Sequence, residues 1–439
     1  MNRKILRLAL PNIISNITVP VMGIISTAIA GHWGDDPAHT IGALAIGVSI
    51  FNFIYWNCSF LRMGTSGMTA QAFGAGDLTE CSAMLARTLI ISAALGIAIL
   101  ILQYPLGELA LHIMNGDRLV SRYFYARIWA VPAGIILFGL NGWFTGMQNA
   151  VIPMCTSIAV NAVHILCSLY FAFGLQLGIV GIAYASVVAQ YAGVLLSLLL
   201  LGLRYRKHLT RIPRKQLLDR KPVIRFFRVN TDIIIRTFCI VAVYTFFTAA
   251  SARMDDPAML AVNTLLLQLF TMFSYMSDGF AYAAEALTGR FTGARDAASL
   301  RECIRKCIVW SLGISLFFVA VYAGWWQEIF SLFLADSPEN NDILDTARRF
   351  IGWVMAVSLC SAIPFLLDGV MVGATMTRIM RNSLLIATTL HFILFFALKP
   401  LIGNNALWLA FTSFMVARGI AQYLLSDRLD KIYSQAQHN

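Results

Sequence analysis

One carboxylate stands inside a stretch of sequence that is otherwise apolar. Asp368 lies in FLLDGVMVGA, residues 365–374. An ionisable side chain inside a bilayer costs roughly 2.5 kcal/mol or more, and in membrane proteins such residues mark ion and substrate pathways. Asp368 therefore has two interpretations. It binds a proton, a sodium ion or a cationic compound, or it is a hydrogen-bonded group that fixes helix packing.

Two further acids occur in SYMSDGFAYAAEALTG. Asp278 and Glu285 are seven residues apart and so share one face of a helix. Carboxylates gathered in a desolvated site are the chemistry that a proton-coupled carrier requires. We expect Asp278, Glu285 and Asp368 to bind the coupling ion, with helix packing an equal alternative for Glu285.

Arginines supply the counter-charges. Arg236, in NTDIIIRTFCI, is one turn from Asp232 and is the natural counter-ion in the second half of the chain. Arg62, in FLRMGTSG, is the equivalent cation of the first half. For both arginines a purely structural ion pair or carbonyl contact is the alternative.

The first half has polar side chains in place of acids. Asn161, His164 and Ser168 follow each other at spacings of 3 and 4, which puts them on one helix face. Histidine is able to change charge near neutral pH. A lone buried histidine is nevertheless more often a hydrogen-bonded packing residue.

Composition shows what surrounds these residues. Hydrophobic residues make up 58% of the 439 residues, charged residues 13%, and the mean hydropathy is +0.71. Helices of about 20 apolar residues cross a bilayer, and the runs lack the alternation of a membrane barrel. The sequence predicts an all-α polytopic protein with twelve spans, at about 9–33, 41–73, 84–105, 123–147, 150–174, 178–203, 231–253, 258–288, 303–326, 344–374, 380–398 and 403–425. We interpret the first as a span and not as a cleaved signal peptide.

Basic connections predict the orientation. Between the sixth and seventh spans, residues 204–229 carry ten Lys or Arg and one acid, Asp219, so the positive-inside rule places this segment and both termini in the cytoplasm. The loop at 327–345 is acidic and is expected outside. The net charge of +11 therefore reflects topology beside an anionic leaflet, and no nucleic-acid partner is predicted.

The chain repeats itself. GLNGWFTGMQ, residues 139–148, aligns with LLDGVMVGAT, residues 366–375, and Asn141 stands where Asp368 stands. TAQAFGAGD, residues 69–77, aligns with TGRFTGARD, residues 288–296. The spans therefore divide into an N-terminal six-helix lobe (1–203), a basic linker (204–229) and a C-terminal six-helix lobe (230–439).

Because six is even, the two lobes are parallel repeats related by a pseudo-twofold axis along the membrane normal. Transporters of this form hold their site between the halves and alternate access by rocking them. Pro20, inside the first span, is the predicted hinge.

Other chemistry finds little support. Asp35, Asp36 and His39 imitate a metal cluster but lie in a short external loop, where we expect them to be solvated. No phosphate-binding loop, dinucleotide fingerprint or HExxH motif occurs. The sequence predicts no cofactor and no metal centre, with protons or sodium as the source of energy.

Several segments resemble the multidrug and toxic compound extrusion (MATE) family, in its DinF-like branch. They are LALPNIISNITVPVMGIISTAIAGH, FLRMGTSGMTAQAFGAGD, DGFAYAAEALTGRFTGARD, LLDGVMVGATMTRIMRNS and GNNALWLAFTSFMVARG. The resemblance implies a bacterial inner-membrane antiporter that exports amphipathic, often cationic compounds in exchange for protons or sodium. Asp368 matches the tenth-span aspartate that family members use in cation binding.

Two positions depart from the family pattern. Ser26 stands where relatives usually carry a first-span aspartate, and Ser168 stands where many carry a fifth-span aspartate, although Asn161 is kept. Coupling is therefore expected in the second lobe, with Arg236, Arg62, Asn141, His164, Asn161, Ser168 and Ser26 lining the substrate cavity or the lobe interface.

Three functions remain open, of which antiport is preferred. A lipid-linked intermediate flippase of the same superfamily would be expected to have more spans and more cavity arginines than Arg62 and Arg236. An integral membrane enzyme would need clustered catalytic residues at one membrane face. The expected partners are small amphipathic or cationic substrates and the lipid bilayer, and the expected oligomeric state is a monomer.

Overall fold

The structure is a computed structural model. It describes all residues except 34–35, 211, 213–219, 255–256, 332–337, 428 and 439, and no side chain at 221, 257, 338–342 and 435–438. Parts of the basic linker, of the acidic 327–345 loop and of the Asp35 cluster therefore lie outside the described residues. Within the described part every regular element is helical.

The helices of the first half follow one another with short turns. They are α1 (Asn2–Gly31), α2 (Pro37–Cys58), α3 (Phe60–Gly74), α4 (Leu78–Ile101), α5 (Gln103–Ile113), α6 (Arg118–Arg127), α7 (Val131–Gly146), α8 (Val151–Leu169) and α9 (Ile179–Tyr205). A 3₁₀ turn, Ile128–Ala130, joins α6 to α7, and a π-helical turn, Tyr170–Gly174, extends α8.

The second half has fewer and longer helices. They are α10 (Arg220–Ala252), α11 (Pro257–Gly293), α12 (Ala297–Ser331), α13 (Pro338–Gly373), α14 (Thr377–Ile402), α15 (Asn404–Leu425) and α16 (Asp430–His438). Trp325 has non-helical dihedrals (φ −129°, ψ 21°) and marks a kink in α12.

The apolar runs form membrane-length helices, as the sequence predicts. In the described residues eleven helical segments are long and apolar enough to cross a bilayer. They correspond to the first eleven predicted spans, with α2 and α3 together forming the second, and α6 and α7 the fourth. The twelfth predicted span corresponds to α15, which has 22 residues and is not among the eleven.

The repeat is visible in the turns. Asp77 caps α4 by accepting a hydrogen bond from the Glu80 backbone N–H at 2.9 Å, and Asp296 caps α12 by accepting one from Ser299 at 2.9 Å. The residue before each cap has positive φ: 74° at Gly76 and 56° at Arg295. The aligned segments thus build the same helix-ending turn twice.

The chain divides into two compact units. One, here called the N-terminal unit, comprises Leu10–Asn230, and the C-terminal unit comprises Met1–Ala9 with Thr231–Asn439. The predicted boundaries at 1–203, 204–229 and 230–439 stay a prediction. Helix α1 is continuous at Pro20, so the hinge also stays a prediction.

Paired glycines bring equivalent helices together in each unit. In the N-terminal unit α7 packs on α3, and a Cβ at Gly142 would collide with the Arg62 carbonyl. In the C-terminal unit α13 packs on α11, and a Cβ at Gly369 would collide with the Ala281 carbonyl. Only glycine permits these backbone approaches. The contacts position Asn141 and Asp368, each one residue before its glycine.

Candidate ion-coupling and substrate site

Asp368 is the centre of a buried ion cluster in the C-terminal unit. Asp368 is only 3% exposed to solvent. Arg236, on α10, donates to Asp368 Oδ2 through Nε at 2.8 Å and also through Nη2. Arg418, on α15, donates to the same oxygen through Nη2. Gln422, one turn further along α15, donates to Asp368 Oδ1.

The cluster joins three helices. Its charged members are one carboxylate and two guanidinium groups, so it carries one positive charge in excess when all are ionised. Arg418 is 1% exposed and also lies 5.3 Å from the centre of the Phe365 ring. A buried charge is tolerated when its partners supply opposite charge and hydrogen bonds. The negative charge that the sequence shows in an apolar span is thus balanced by arginine in this structure.

Arg418 and Gln422 were not among the residues that the sequence singled out. Arg418 lies in FMVARG, inside the twelfth predicted span. The argument that selects Asp368, a charge within an apolar run, applies equally to Arg418. The sequence alone is therefore sufficient to select Arg418 as a candidate residue.

Asp232 has partners other than Arg236. The sequence places Arg236 one turn away, but Asp232 Oδ1 accepts a hydrogen bond from Arg381 Nη1 at 2.7 Å. Its Oδ2 accepts one from the Thr377 hydroxyl at 2.9 Å. Asp232 thereby links α10 to the start of α14 and is not a member of the Asp368 cluster.

The other two candidate acids lie on α11. Asp278 is half-buried, whereas Glu285 is only 1% exposed. The Glu285 carbonyl faces Gly373 of α13, four residues after Gly369. The three acids thus belong to one pair of packed helices, and Asp368 takes its cations from α10 and α15.

In the N-terminal unit His164 is a hydrogen-bonded packing residue in this structure. It is 3% exposed, and its Nε2 lies 3.0 Å from the Ser186 hydroxyl on α9. The Ser168 hydroxyl lies 3.5 Å from His164 Nδ1, so the spacing of four does bring these two together. Asn161, on the same helix, is half-buried.

The remaining sequence candidates lie on three helices of the same unit. Arg62 is half-buried on α3, and Ser26 is 8% exposed on α1. Asn141 is half-buried on α7, and its Oδ1 is buried with no hydrogen-bond donor among the described residues.

Arg127 is a further arginine within a predicted span. Arg127 ends α6, within the fourth predicted span. Its Nη1 donates to the Tyr123 hydroxyl at 2.5 Å, and its Cζ lies 4.9 Å from the centre of the Phe51 ring. Arg127 and Arg418 thus lie within predicted spans, as Arg62 and Arg236 do.

Two residues of the apparent metal cluster, Asp36 and His39, make other contacts in the structure. Asp36 caps α2 by accepting from the His39 backbone N–H at 3.0 Å, and His39 Nε2 lies 2.6 Å from Asp117 Oδ2. Among the described residues no group of three or more His, Cys, Asp or Glu is arranged to hold a metal ion.

Comparison with known proteins places these features in a family. A model of the MatE family matches residues 11–170 and 233–396. The chain is 34% identical over 420 residues to the DNA damage-inducible protein F of Escherichia coli (strain K12), covering 94% of this chain and 89% of that protein. It is 23% identical to the probable multidrug resistance protein NorM of Deinococcus radiodurans, covering 95% and 93%.

The fold is also similar to that of solved MATE structures. A solved structure described as MATE in the bent conformation superposes with a TM-score of 0.87 at 16% identity, covering 99% of this chain and 97% of that chain. This likeness confirms the predicted all-α, two-lobed membrane fold. The relatives are transporters and not enzymes. The protein is therefore a multi-pass membrane transporter of the MatE family, whose members extrude drugs and toxic compounds.

Proposed function

We propose that the protein is a secondary active antiporter of a bacterial inner membrane, acting as a monomer with both termini in the cytoplasm. It exports amphipathic organic compounds by alternating access of two lobes, in exchange for protons or sodium. Family membership supports export, and the bacterial relatives support the membrane. The sequence gives no nucleotide-binding motif that would supply another source of energy.

The coupling ion binds in the C-terminal unit in this proposal. The single observation that carries this step is the distribution of carboxylates. Asp278, Glu285 and Asp368 lie well inside spans of the C-terminal unit. In the described residues 10–230 the acids lie at helix caps, in the first turn of α4 or in the short helix α5: Asp36, Asp77, Glu80, Glu108 and Asp117.

The ion cluster sets a condition on coupling at Asp368. A proton on this carboxylate would leave Arg236 and Arg418 without their counter-charge, and a sodium ion would meet two guanidinium groups on Oδ2. Ion binding there therefore requires Arg236, the more exposed of the two arginines at 16% of its side chain, to move away. Release of Arg236 is the event that would link ion binding to the substrate site.

The experiment measures gradient-driven efflux of a fluorescent amphipathic dye from proteoliposomes, with a pH gradient and a sodium gradient imposed separately. The variants are Asp368→Asn, Asp278→Asn and Glu285→Gln, each at matched amounts of folded protein. Coupling through Asp368 predicts that Asp368→Asn loses the response to the gradient but retains dye exchange without one.

Each outcome decides between sites. Loss of coupling in Asp278→Asn or Glu285→Gln alone would place the ion on α11. No gradient-driven efflux by the wild type, with any dye, would contradict the antiport proposal. The charge of the substrate, which the family resemblance implies to be often positive, is a separate question.

A further inference from the structure

Arg127 is an intramembrane cation held by aromatic rings. Its guanidinium carbon lies 4.9 Å from the centre of the Phe51 ring and 5.6 Å from that of Tyr123. Tyr123 also accepts a 2.5 Å hydrogen bond from Nη1. Phe51 is 0% and Tyr123 1% exposed, so both are fixed by packing. The arginine head is therefore presented in a defined orientation.

Glycine positions the tyrosine that holds Arg127. A Cβ at Gly47 on α2 would overlap the Tyr123 ring, so the ring of Tyr123 lies directly on the backbone of α2. Tyr123 is also in edge contact with Phe51, at 6.3 Å between ring centres. The contacts that hold Arg127 thus come from α2 and α6 of the N-terminal unit.

No acid balances this charge within the described residues. Within residues 10–230, none of the carboxylates that the structure describes lies at ion-pair distance from Arg127, whereas Arg87 has Glu80 at 2.6 Å and His39 has Asp117 at 2.6 Å. Arg127 Nε is buried and has no hydrogen-bond acceptor among the described residues. A charged arginine is costly inside a membrane, and contacts with aromatic faces offset only part of that cost.

The remaining donors suit an oxyanion. Guanidinium has five N–H donors in a planar fork that matches a carboxylate, sulfonate or phosphate, and Tyr123 takes one of them. A charge-assisted bond to an anion is about twice as strong as a neutral one. An anionic group is consequently the partner that the described residues of this unit do not give Arg127.

Aromatic surface lies beside the cation. Tyr55 lies next to the Phe51 ring, at 6.5 Å between ring centres, and is in edge contact with Phe138 at 6.1 Å between ring centres. Tyr55 and Phe138 are half-buried. Gly134 accommodates Tyr55, because a Cβ there would sit 2.6 Å from the ring. A ligand that places its charge on Arg127 therefore has apolar and aromatic surface for its body.

We propose that the N-terminal unit binds the anionic group of an amphipathic substrate, a carboxylate or sulfonate on an aromatic or aliphatic body, at Arg127 between Phe51 and Tyr123. This names a substrate class for the export that we proposed above, and it rests on that function. The class is opposite in charge to the one that the family resemblance implies.

Two dyes that carry the same fluorophore but opposite charges test which charge the site prefers. Dansylglycine is an aromatic monoanion, and dansylcadaverine is a cation with the same rings. Each is titrated into purified wild-type protein in nanodiscs of neutral lipid, and binding is followed by fluorescence anisotropy. We expect dansylglycine to bind about tenfold more tightly than dansylcadaverine, the difference made by one well-placed charged contact.

Variants of Arg127 test whether this residue binds the anionic group. Arg127→Gln is expected to weaken dansylglycine about tenfold and to leave dansylcadaverine unchanged. Arg127→Lys keeps the charge but loses the planar fork, and is expected to weaken dansylglycine about threefold. Arg122→Gln, five residues earlier on an exposed face of α6, is the matched control and should bind as the wild type does.

The overturning results are specific. Equal affinity for dansylglycine in the wild type and Arg127→Gln, or a wild type that prefers dansylcadaverine, would refute the proposal. Where Arg127→Gln does not fold, an unchanged affinity in Arg127→Lys refutes it. Because this readout is equilibrium binding, it is independent of coupling. Gradient-driven efflux of dansylcadaverine but not of dansylglycine would leave the antiport function intact and remove only the anion site.

Discussion

Arg418 of α15 and Asp368 of α13 form an ion pair that is almost completely buried, with side-chain exposures of 1% and 4%. Arg236 of α10 binds the same carboxylate oxygen. Three helices of the C-terminal unit thus meet at one negative charge. The carboxylate is needed for that junction whether or not it also takes part in ion coupling.

Asp368→Asn should destabilise the C-terminal unit. Removing the charge leaves two buried guanidinium groups without compensation, and breaking a buried ion pair in this way costs about 3–5 kcal/mol. We expect a clearly lowered apparent Tm in detergent, followed by tryptophan fluorescence.

A double variant separates charge from shape. Asp368→Asn combined with Arg418→Gln restores the net charge of the cluster, so it should be more stable than Asp368→Asn alone. The coupling energy between the two positions should exceed about 1 kcal/mol, as for residues in direct contact. Additive effects would show that the ion pair is not what stabilises this junction.

The ion cluster also shows where sequence reasoning ends. Long apolar runs predict the spans because each must satisfy its backbone internally in lipid, and the structure has helices at these places. The same reasoning finds Asp368 as an isolated charge. The partner of that charge is set by tertiary packing, since Arg236 and Arg418 are 132 and 50 residues away.

Arg236 does not pair with Asp232, the acid nearest to it in the sequence. One helical turn separates it from Asp232, yet Asp232 is bound by Arg381 and Thr377 of α14. Spacing of four puts two residues on one helix face, but the carboxylates of Asp232 and Asp368 are both buried, and packing gives Asp232 its partners on α14 and gives Arg236 its partner on α13. His164 shows the complementary case. Its contact with Ser168 follows from spacing, but its closer partner, Ser186, follows only from the packing of α8 on α9.

The glycines beside Asn141 and Asp368 give a prediction about packing. Gly369→Ala would press a methyl group into the Ala281 carbonyl, and Gly142→Ala into the Arg62 carbonyl. Overpacking of this kind costs about 1–3 kcal/mol, so each variant should unfold at lower temperature. Gly352→Ala, on the same helix as Gly369, meets nothing within 4 Å and serves as the control. A Gly369→Ala protein as stable as Gly352→Ala would mean that α11 and α13 do not pack this closely.

A polar network around Asn263 in the C-terminal unit gives a further prediction about stability. Asn263 is 1% exposed, donates to Ser251 at 2.7 Å and to Asn404 at 2.8 Å, and accepts from Trp408 Nε1 at 2.8 Å. Asn263→Leu would leave the Trp408 N–H buried without an acceptor, a cost of about 1–3 kcal/mol.

The control for that network is Ser251→Ala, which removes one acceptor and leaves the other bonds of Asn263 in place. Its effect on the thermal unfolding temperature in the same detergent should be the smaller of the two. Equal effects would indicate that the Trp408 hydrogen bond contributes nothing to stability.

Asp117 gives the prediction for pH. It caps α6, outside the spans, and its Oδ1 accepts from the backbone N–H groups of Leu119 at 3.0 Å and Val120 at 2.9 Å. The Val120 N–H, and to a smaller extent His39, hold the pKa of this carboxyl below its ordinary value of 3.8. A carboxyl whose pKa is lowered by folding stabilises the folded state above its unfolded pKa, and that contribution is lost as the pH falls through the folded pKa.

Asp117→Asn keeps a residue that caps helices well but removes the charge. The wild type should therefore unfold at a higher temperature than Asp117→Asn at pH 6, and the difference should shrink as the pH is lowered below about 4. His39→Gln should retain part of this pH dependence, because the Val120 and Leu119 N–H groups still bind the carboxylate. If the wild type and Asp117→Asn unfold at the same temperature throughout pH 7 to pH 3, the charge of the carboxylate is not what the start of α6 requires. Any amide or hydroxyl cap would then serve equally well.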